Sequence, residues 1–257
     1  MTATPGSAIP MAAESEPASL GAAVAPMARV ARFGATERRL HTIHAAAFVV
    51  MLVTGLILYL PFLAQILSSR PITTAIHLLA AIAWLTALAL VAIVGDRAAL
   101  RRTRRELERF DDADLLWLRT RGRAPAGRFN AGQKLHAIAQ SALAVLFTVS
   151  GTLLWLGERN TSLRLPGTIA LHDFSMLVAG VLVAGHVWIA ASATRSGSLE
   201  GIRRGTVTVA YAAKHHPRWA PAGGAPATAA RPGPLRLALA AVVIALGIAG
   251  TALLVSR

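Results

Sequence analysis

The sequence predicts an all-α integral membrane protein, and three observations lead to this fold class. Of its 257 residues, 54% are hydrophobic and only 15% are charged, which is too apolar for an ordinary soluble domain of this length. Five apolar runs are each long enough to cross a bilayer as a helix. Basic residues are concentrated between these runs. We therefore expect a bundle of four membrane-spanning helices followed by a fifth.

The apolar runs divide the chain in order. Residues 1–28 are rich in Ala, Pro and Ser and lack the basic and apolar regions of a signal peptide, so we expect a disordered N-terminal tail there. A membrane domain is expected over residues 29–220, with spans at about 44–63, 72–94, 135–156 and 171–193. A linker at 221–236 then leads to an additional transmembrane helix at 237–255.

Two shorter features complete this prediction. Thr36 is a plausible N-cap immediately before Glu37 at the start of the first helix. A surface helix is expected near Leu100 to Leu118, in the basic segment between the second and third spans.

Lysine and arginine predict the orientation in the membrane. Of the 26 such residues, 22 lie in the N-terminal arm, in residues 95–134 and in residues 195–236. By the positive-inside rule these segments face the cytoplasm, so we expect the N-terminus inside and the C-terminus outside a cytoplasmic (inner) membrane. The basic residues that give the net charge of +14 then set the orientation of the chain in the lipid bilayer. No nucleic acid is expected as a partner.

Cysteine is absent from the chain. Disulfides, iron–sulfur clusters held by thiolates and covalently attached c-type haem are therefore excluded. Any haem in this protein must be held without a covalent bond to the chain.

The fourth span carries two histidines, His172 and His186. Fourteen residues of helix separate them by about 21 Å along the axis and by about 40° around it. Ionisable groups inside a membrane are costly and usually functional, and neutral imidazole is an axial ligand of haem iron. One helix therefore offers two ligands at two membrane depths.

Histidines on the first and second spans match these depths. The predicted topology places His77 near the outer face with His172, and His41 near the inner face with His186. Each pair could bind one b-type haem, and two haems at this spacing are close enough for electron transfer. Gly55 follows His41 by 14 residues on the same helix face, where the missing side chain would let a flat macrocycle approach.

Three alternatives remain open from the residues alone. His44 lies three residues from His41 on nearly the same face and could replace it as the inner ligand. His136 has no partner left at its own depth and is interpreted as an interfacial or proton-handling residue. In a haem-free transporter or scaffold, all these histidines would only bridge helices by hydrogen bonds.

Several stretches resemble the gamma subunit of membrane-bound formate dehydrogenase, a di-haem cytochrome of the b556 type. The resemblance covers about residues 30–220 and is carried by ERRLH (37–41), AIHLLA (75–80), GRFNAGQK (127–134), LHDFS (171–175), AGHVW (184–188) and GSLEGIRRGTVTVAYAAKHHPRW (197–219). The NAGQK and KHHPRW motifs are its most specific parts. The alanine-rich tail, the fifth span and His44 fall outside the family pattern.

The resemblance implies a four-helix bundle with two haem b groups, ligated by His77 with His172 and by His41 with His186. It also implies an iron–sulfur beta subunit and a molybdenum- or tungsten-containing alpha subunit as partners, with the formate site on another chain. The family's quinone pocket, for menaquinone or ubiquinone, corresponds to Asn130, Gly132 and Gln133 together with His186.

Simpler interpretations stand beside these implications. NAG could be only the turn and N-cap before the third span. The adjacent His215 and His216 should project apart on an extended segment before Pro217, which favours a structural role at the membrane surface over metal binding. The same scaffold could also serve a hydrogenase, a thiosulfate reductase or another molybdo-reductase, because related two-haem cytochromes share the ligand arrangement.

Overall fold

A computed structural model describes residues 28–67, 69–192, 196–221 and 230–255. The expected tail before Ala28 and most of the expected linker, residues 222–229, lie outside this part of the chain. The described elements are, in order, β1 (Arg29–Ala31), α1 (Ala35–Tyr59), α2 (Pro61–Leu67), α3 (Arg70–Val94), α4 (Arg97–Glu108), α5 (Asp112–Arg119), α6 (Ala131–Arg159), a 3-10 turn (Thr161–Leu163), α7 (Thr168–Ala191), α8 (Ser196–Arg204), β2 (Thr206–Thr208), α9 (Val209–His215) and α10 (Pro234–Val255).

Five of these helices, α1, α3, α6, α7 and α10, are long and apolar enough to cross a membrane. Their large apolar side chains point outward; Val181 is 73% exposed and Leu246 is 67% exposed. A surface of this kind is stable in lipid, whose tails are as apolar as the side chains. The all-α membrane fold predicted from composition is confirmed, and the protein is a multi-pass membrane protein.

The first helix begins at Ala35, well before the expected start of its span near residue 44. Thr36 is not its N-cap, so that prediction was wrong. Instead, the Glu37 carboxylate accepts the Gly34 N–H at 2.6 Å. The Thr36 hydroxyl accepts the Asp96 N–H at 2.9 Å, because the end of α3 packs beside this turn. His41 consequently lies inside a regular helix.

The expected surface helix is two helices. Asp111 caps the second one by accepting the Asp114 N–H at 3.0 Å, and Asp114 accepts the Asp111 N–H at 3.1 Å. Such a reciprocal box starts a new helix. The chain therefore turns between α4 and α5, which the continuous charge pattern did not predict.

The bundle is built from neighbouring pairs of helices. α1 packs along α3, α6 packs along α7, and α7 also contacts α1. Between α3 and α6 lies an apolar cleft of about 280 Å³, lined by Trp84, Leu85, Leu88, Ala144, Val145, Thr148 and Val149. These two helices are therefore separated by an apolar cleft that opens to the surface of the bundle.

The fifth long helix, α10, runs antiparallel along α3. The Arg236 guanidinium at its start donates to the carbonyls of Ile93 and Gly95, both at 2.6 Å, and these groups end α3. A Cβ on Gly247 would lie 2.7 Å from Thr86 Oγ1, so glycine is needed for this close approach. α10 is thus attached to the bundle through α3.

At one end of the bundle, which we call the basic end, the chain forms a polar layer from β1, α4, α5, α8, β2, α9 and residues 120–130. β1 and β2 pair antiparallel, with Arg29 opposite Thr208. Within the described residues, these two short strands form the β-sheet. It ties the start of α1 to the segment that follows α7.

A buried ion network holds this layer together. Arg128 contacts Glu37 at 2.6 Å and Glu106 at 3.0 Å. It also donates to Thr103 Oγ1 at 3.0 Å. The Arg32 guanidinium donates to the Arg128 carbonyl at 2.9 Å. Because Arg128 and Glu37 are 9% and 8% exposed, their charges are shielded from water and depend on each other.

Candidate functional site

Histidines on three helices meet in two pairs, one half-buried (His77 and His172) and one exposed at the bundle surface (His41 and His186). α7 supplies one member of each pair, His172 near its start and His186 near its end at the basic end. The fourteen intervening residues separate the two levels by about 21 Å. We call the pair at the basic end the inner pair and the other the outer pair.

The outer pair consists of His77 on α3 and His172 on α7. Their ring centres are 6.4 Å apart, and the rings are inclined at 70°. The inner pair consists of His41 on α1 and His186 on α7, with ring centres 6.3 Å apart and an inclination of 46°. The structure thus brings together the residues that the depth argument paired.

Both separations suit a metal ion between two imidazoles. An imidazole nitrogen lies about 2.0 Å from a first-row metal ion and about 1.1 Å from the centre of its own ring, so rings on opposite sides of one ion have centres about 6 Å apart. No group of three or more His, Cys, Asp and Glu side chains with metal-binding geometry occurs in the described ranges. A metal held by either pair would take its remaining ligands from outside these side chains, as a haem iron does from its macrocycle.

Hydroxyl groups fix the tautomer of the outer pair. Thr54 Oγ1 lies 2.8 Å from His77 Nδ1, and Ser150 Oγ lies 2.8 Å from His172 Nδ1. Each hydroxyl also donates to the carbonyl four residues earlier in its own helix, at 2.7 Å. When each hydroxyl gives its proton to that carbonyl, its oxygen accepts from Nδ1–H, and the Nε2 lone pair is then available to a metal.

Two glycines lie against the side chains of the outer pair and their neighbours. A Cβ on Gly55 would lie 3.1 Å from Met176 Sδ and 3.6 Å from His77 Cε1, and one on Gly151 would lie 3.5 Å from His172 Cε1. The apolar cleft between α3 and α6 opens to the surface of the bundle. The imidazole separations suit a haem iron, whereas the approach of a macrocycle to Gly55 stays a prediction, because the Met176 sulfur and the His77 ring lie against this glycine.

His44 is engaged differently from His41. Trp84 Nε1 donates to His44 Nδ1 at 3.2 Å, so the neutral His44 ring carries its proton on Nε2 and offers no free lone pair there. Its ring contacts are with Phe48 and Trp84. This arrangement favours His41 as the ligand-capable residue of the inner pair.

His136 has a partner that its depth did not reveal. Its ring stacks on His186, with ring centres 4.7 Å apart and an inclination of 10°. The nitrogen lone pairs of an imidazole lie in the plane of its ring. In two stacked rings they therefore do not point toward an ion placed between the rings. His136 is therefore a neighbour of the inner pair, and its place beside His186 was missed because α6 begins at Ala131.

The NAGQK motif begins α6 next to this group. Asn130 Oδ1 accepts the Gln133 N–H at 2.9 Å, and Gln133 Oε1 accepts the Asn130 N–H at 3.1 Å. Asn130 is therefore the N-cap of α6, as the simpler interpretation of NAG predicted. Both amide oxygens are used for capping, and both amide NH₂ groups remain as donors.

Gly132 faces protein in this motif. A Cβ there would lie 3.1 Å from the Trp117 ring of α5. Because Gly132 has no side chain, the Trp117 indole can lie close to its backbone. In a quinone site here, Gly132 would act by admitting Trp117 and so setting the shape of the pocket wall.

The KHHPRW segment has a structural role. α9 continues to His215, so this histidine is helical and the expected extended segment was wrong. His216 is 2% exposed, and its Nδ1–H donates to the Gly127 carbonyl at 2.7 Å. Burial and the nearby Arg32 cation lower the pKa of His216 to about 4. The segment therefore holds the loop around Gly127, which precedes NAGQK, in place by this hydrogen bond.

Thr54 and Ser150 were missed by the sequence argument. Each is followed by glycine, and each lies 23 or 22 residues before the histidine that it contacts. That repeated spacing of a hydroxyl and a glycine before a membrane histidine was a usable signal.

The chain is similar to known membrane cytochromes. A family described as prokaryotic cytochrome b561 matches residues 32–205. The formate dehydrogenase cytochrome b556(fdo) subunit of Escherichia coli K12 is 26% identical over 203 residues, covering 74% of this chain and 91% of the relative. The formate dehydrogenase cytochrome b556 subunit of Haemophilus influenzae is 28% identical over 205 residues, covering 74% and 82%.

Proposed function

Because the chain belongs to the prokaryotic cytochrome b561 family, we propose that it is the haem-bearing membrane subunit of a formate dehydrogenase complex and passes electrons through two b haems to a quinone. The observation that carries this proposal is the pair of imidazole separations, 6.4 and 6.3 Å, at two levels of one bundle. The names of the two relatives favour formate as the source of electrons.

In this proposal four histidines hold the haems. His77 and His172 bind the outer one, and His41 and His186 bind the inner one. The haems supply one-electron transfer between the two levels, which the protein chain cannot perform without a cofactor. The surrounding apolar helices exclude water, so the side chains fix the position of the cofactors and the dielectric around them.

The reduction of quinone is assigned to the basic end. The NH₂ groups of Asn130 and Gln133 can donate to a quinone carbonyl while the amide oxygens keep the helix cap. His186 lies at the same end of the bundle, so electrons would arrive beside these donors. The quinone, menaquinone or ubiquinone, would take its protons from the polar layer.

The orientation supports vectorial electron transfer. If each of the five candidate spans crosses the membrane once, the N-terminal arm and the C-terminus lie on opposite sides. With the basic end in the cytoplasm, an iron–sulfur subunit and a molybdenum- or tungsten-containing subunit would bind on the outer side. Electrons would then cross the membrane from the outer to the inner pair, and charge would move with them.

Haem quantitation tests the ligand assignment directly. In the purified full chain we expect two b haems by reduced-minus-oxidised spectra. His77→Ala and His172→Ala should lose the same haem, whereas His41→Ala and His186→Ala should lose the other. His44→Ala is the matched control and should keep both. A wild-type chain without haem absorbance would overturn the proposal in favour of a haem-free membrane protein.

The quinone assignment has its own test. Asn130→Asp keeps the oxygen that caps α6 but removes the amide donor, because Asp and Asn cap equally well. We expect the KM for a soluble quinone to rise about tenfold, with the haem content unchanged. Asn160→Asp is the control, since Asn160 caps the 3-10 turn at the opposite end by accepting the Ser162 N–H at 3.0 Å. Equal KM values in both variants would refute the assignment.

The electron donor is tested in membranes that contain the whole complex. Formate should reduce both haems, and hydrogen should not. Reduction by hydrogen alone would assign the chain to a hydrogenase instead.

A further inference from the structure

Two hydroxyl-glycine pairs, Thr54–Gly55 on α1 and Ser150–Gly151 on α6, flank the outer histidines. In the part of the chain that the structure describes, no hydroxyl bonds to the inner histidines. We propose that Thr54 and Ser150 act as positioning residues that hold the outer ligands in one tautomer and lower the reduction potential of the outer haem below that of the inner haem. This inference rests on the proposed function, because it requires a haem at each histidine pair.

The hydrogen-bond geometry fixes which group donates. Each hydroxyl has one proton, and it is used at 2.7 Å by the carbonyl of Val50 or of Leu146. The contacts to Nδ1, both 2.8 Å, must then be donated by the imidazoles. Thr54 and Ser150 are 7% and 2% exposed, so no bulk water competes for these bonds.

A donated Nδ1–H bond changes the electronic character of the ligand. It raises the basicity of the Nε2 atom that faces the metal and also fixes the orientation of the ring. A more basic ligand stabilises ferric iron relative to ferrous iron, which lowers the reduction potential. Both outer ligands carry such a bond, so their effects act in the same direction.

The inner pair differs in this respect. Within residues 28–67, 69–192, 196–221 and 230–255, neither His41 nor His186 has a hydrogen bond at Nδ1. Their neighbours are other imidazoles: His136 stacks on His186, and His44 lies one turn from His41. The outer haem should therefore be the more reducing of the two, which makes transfer from the outer to the inner haem energetically downhill.

The glycines lie beside the outer ligands in packed helices. A Cβ on Gly55 would lie 3.1 Å from the Met176 sulfur and 3.6 Å from His77 Cε1, and one on Gly151 would lie 3.5 Å from His172 Cε1. Only the contact with the Met176 sulfur is tight, so the positioning role rests on the hydroxyl groups.

The test is a potentiometric titration of the purified, haem-loaded full chain. Thr54→Val and Ser150→Ala keep the side-chain size nearly constant and remove the acceptor. Each should shift the ferric–ferrous equilibrium of one haem toward ferrous by about tenfold, which is about 59 mV for a one-electron couple. The affected haem should be the one lost in His77→Ala, and the other should keep its potential.

Conservative and matched variants separate this role from general packing. Thr54→Ser and Ser150→Thr retain a hydroxyl and should retain the wild-type potential. Thr152→Val and Ser141→Ala remove hydroxyls that bond only to their own helix and should change neither haem. If Thr54→Val and Ser150→Ala lose the outer haem while the conservative variants keep it and its potential, the positioning role is supported.

Three results would overturn the inference while leaving the proposed function intact. These are unchanged potentials in Thr54→Val and Ser150→Ala with both haems present, equal shifts in both haems, and equal shifts in the matched controls. Loss of the outer haem in the conservative variants would also overturn it. A wild-type chain that binds no haem would instead refute the proposed function itself.

Discussion

Replacing Glu37 with Gln should destabilise the basic end more than any exposed charge substitution there. The variant keeps the shape of the side chain. Its amide oxygen can still accept the Gly34 N–H, which lies 2.6 Å from a carboxylate oxygen in the wild-type chain. The substitution replaces the other carboxylate oxygen, which accepts from Arg128 at 2.6 Å and from the Thr103 hydroxyl, by an NH₂ donor, and so removes the negative charge together with that acceptor.

The magnitude follows from burial. Glu37 is 8% exposed, Arg128 is 9% and Arg32 is 4% exposed, so two guanidinium groups would remain buried near one partner carboxylate, Glu106, whose side chain is 36% exposed. Breaking a buried pair by neutralising one member costs about 3 to 5 kcal/mol. We expect a loss of that size in the free energy of unfolding.

The assay is equilibrium unfolding of the purified chain in mixed micelles of a mild and a denaturing detergent, followed by circular dichroism. Glu108→Gln is the matched control. Its pair with Arg104 has the same chemistry at 2.7 Å, but the side chains are 75% (Arg104) and 55% (Glu108) exposed. An exposed pair contributes about 0 to 1 kcal/mol.

The expected outcome is thus a large loss for Glu37→Gln and almost none for Glu108→Gln. Equal losses in the two variants would show that Glu37 is hydrated in the membrane-bound protein. The argument from burial would then be refuted, and the buried network would not be what fixes the start of α1.

Two further predictions concern the polar layer and the fifth helix. His216 is neutral when folded because its pKa is lowered to about 4 from 6.5. The contribution of neutral His216 to the free energy of unfolding is therefore fully present above pH 6.5, and it should fall by up to about 3 kcal/mol as the pH drops from 6.5 to 4. His216→Gln should remove this pH dependence in unfolding measurements at several pH values. Gly247→Leu should cost about 1 to 3 kcal/mol by overpacking against Thr86, whereas Ala245→Leu on an exposed face of the same helix should cost almost nothing. Equal unfolding free energies in these two variants would count against tight packing of α10 on α3.

Much of the architecture could be predicted because the membrane restricts the possibilities. A span must be helical and apolar, so the five helices followed from hydropathy. Helical rise then gave each histidine a depth, and residues at equal depth in a narrow bundle lie close together. His41 and His186, and His77 and His172, were matched in this way. The N-cap role of Asn130 also followed from local chemistry.

Other features required contacts between distant parts of the chain. The role of Thr36 depends on the end of α3, and the break between α4 and α5 depends on reciprocal bonds of Asp111 and Asp114. The stacking of His136 on His186 depends on how far α6 extends into the polar layer. Depth alone does not give the rotation of a helix about its axis, so these contacts could not be assigned from spacing.

The sequence by itself predicted five spans, the distribution of charge and a depth for each imidazole, because these depend on hydropathy, charge and helical rise along one chain. Only the tertiary structure showed that Thr54 and Ser150 lie 2.8 Å from Nδ1 of the two outer histidines and that His44 bonds to Trp84. Hydrogen bonds between helices depend on rotation and separation to within a fraction of an ångström, and those are set by the packing of all the helices together.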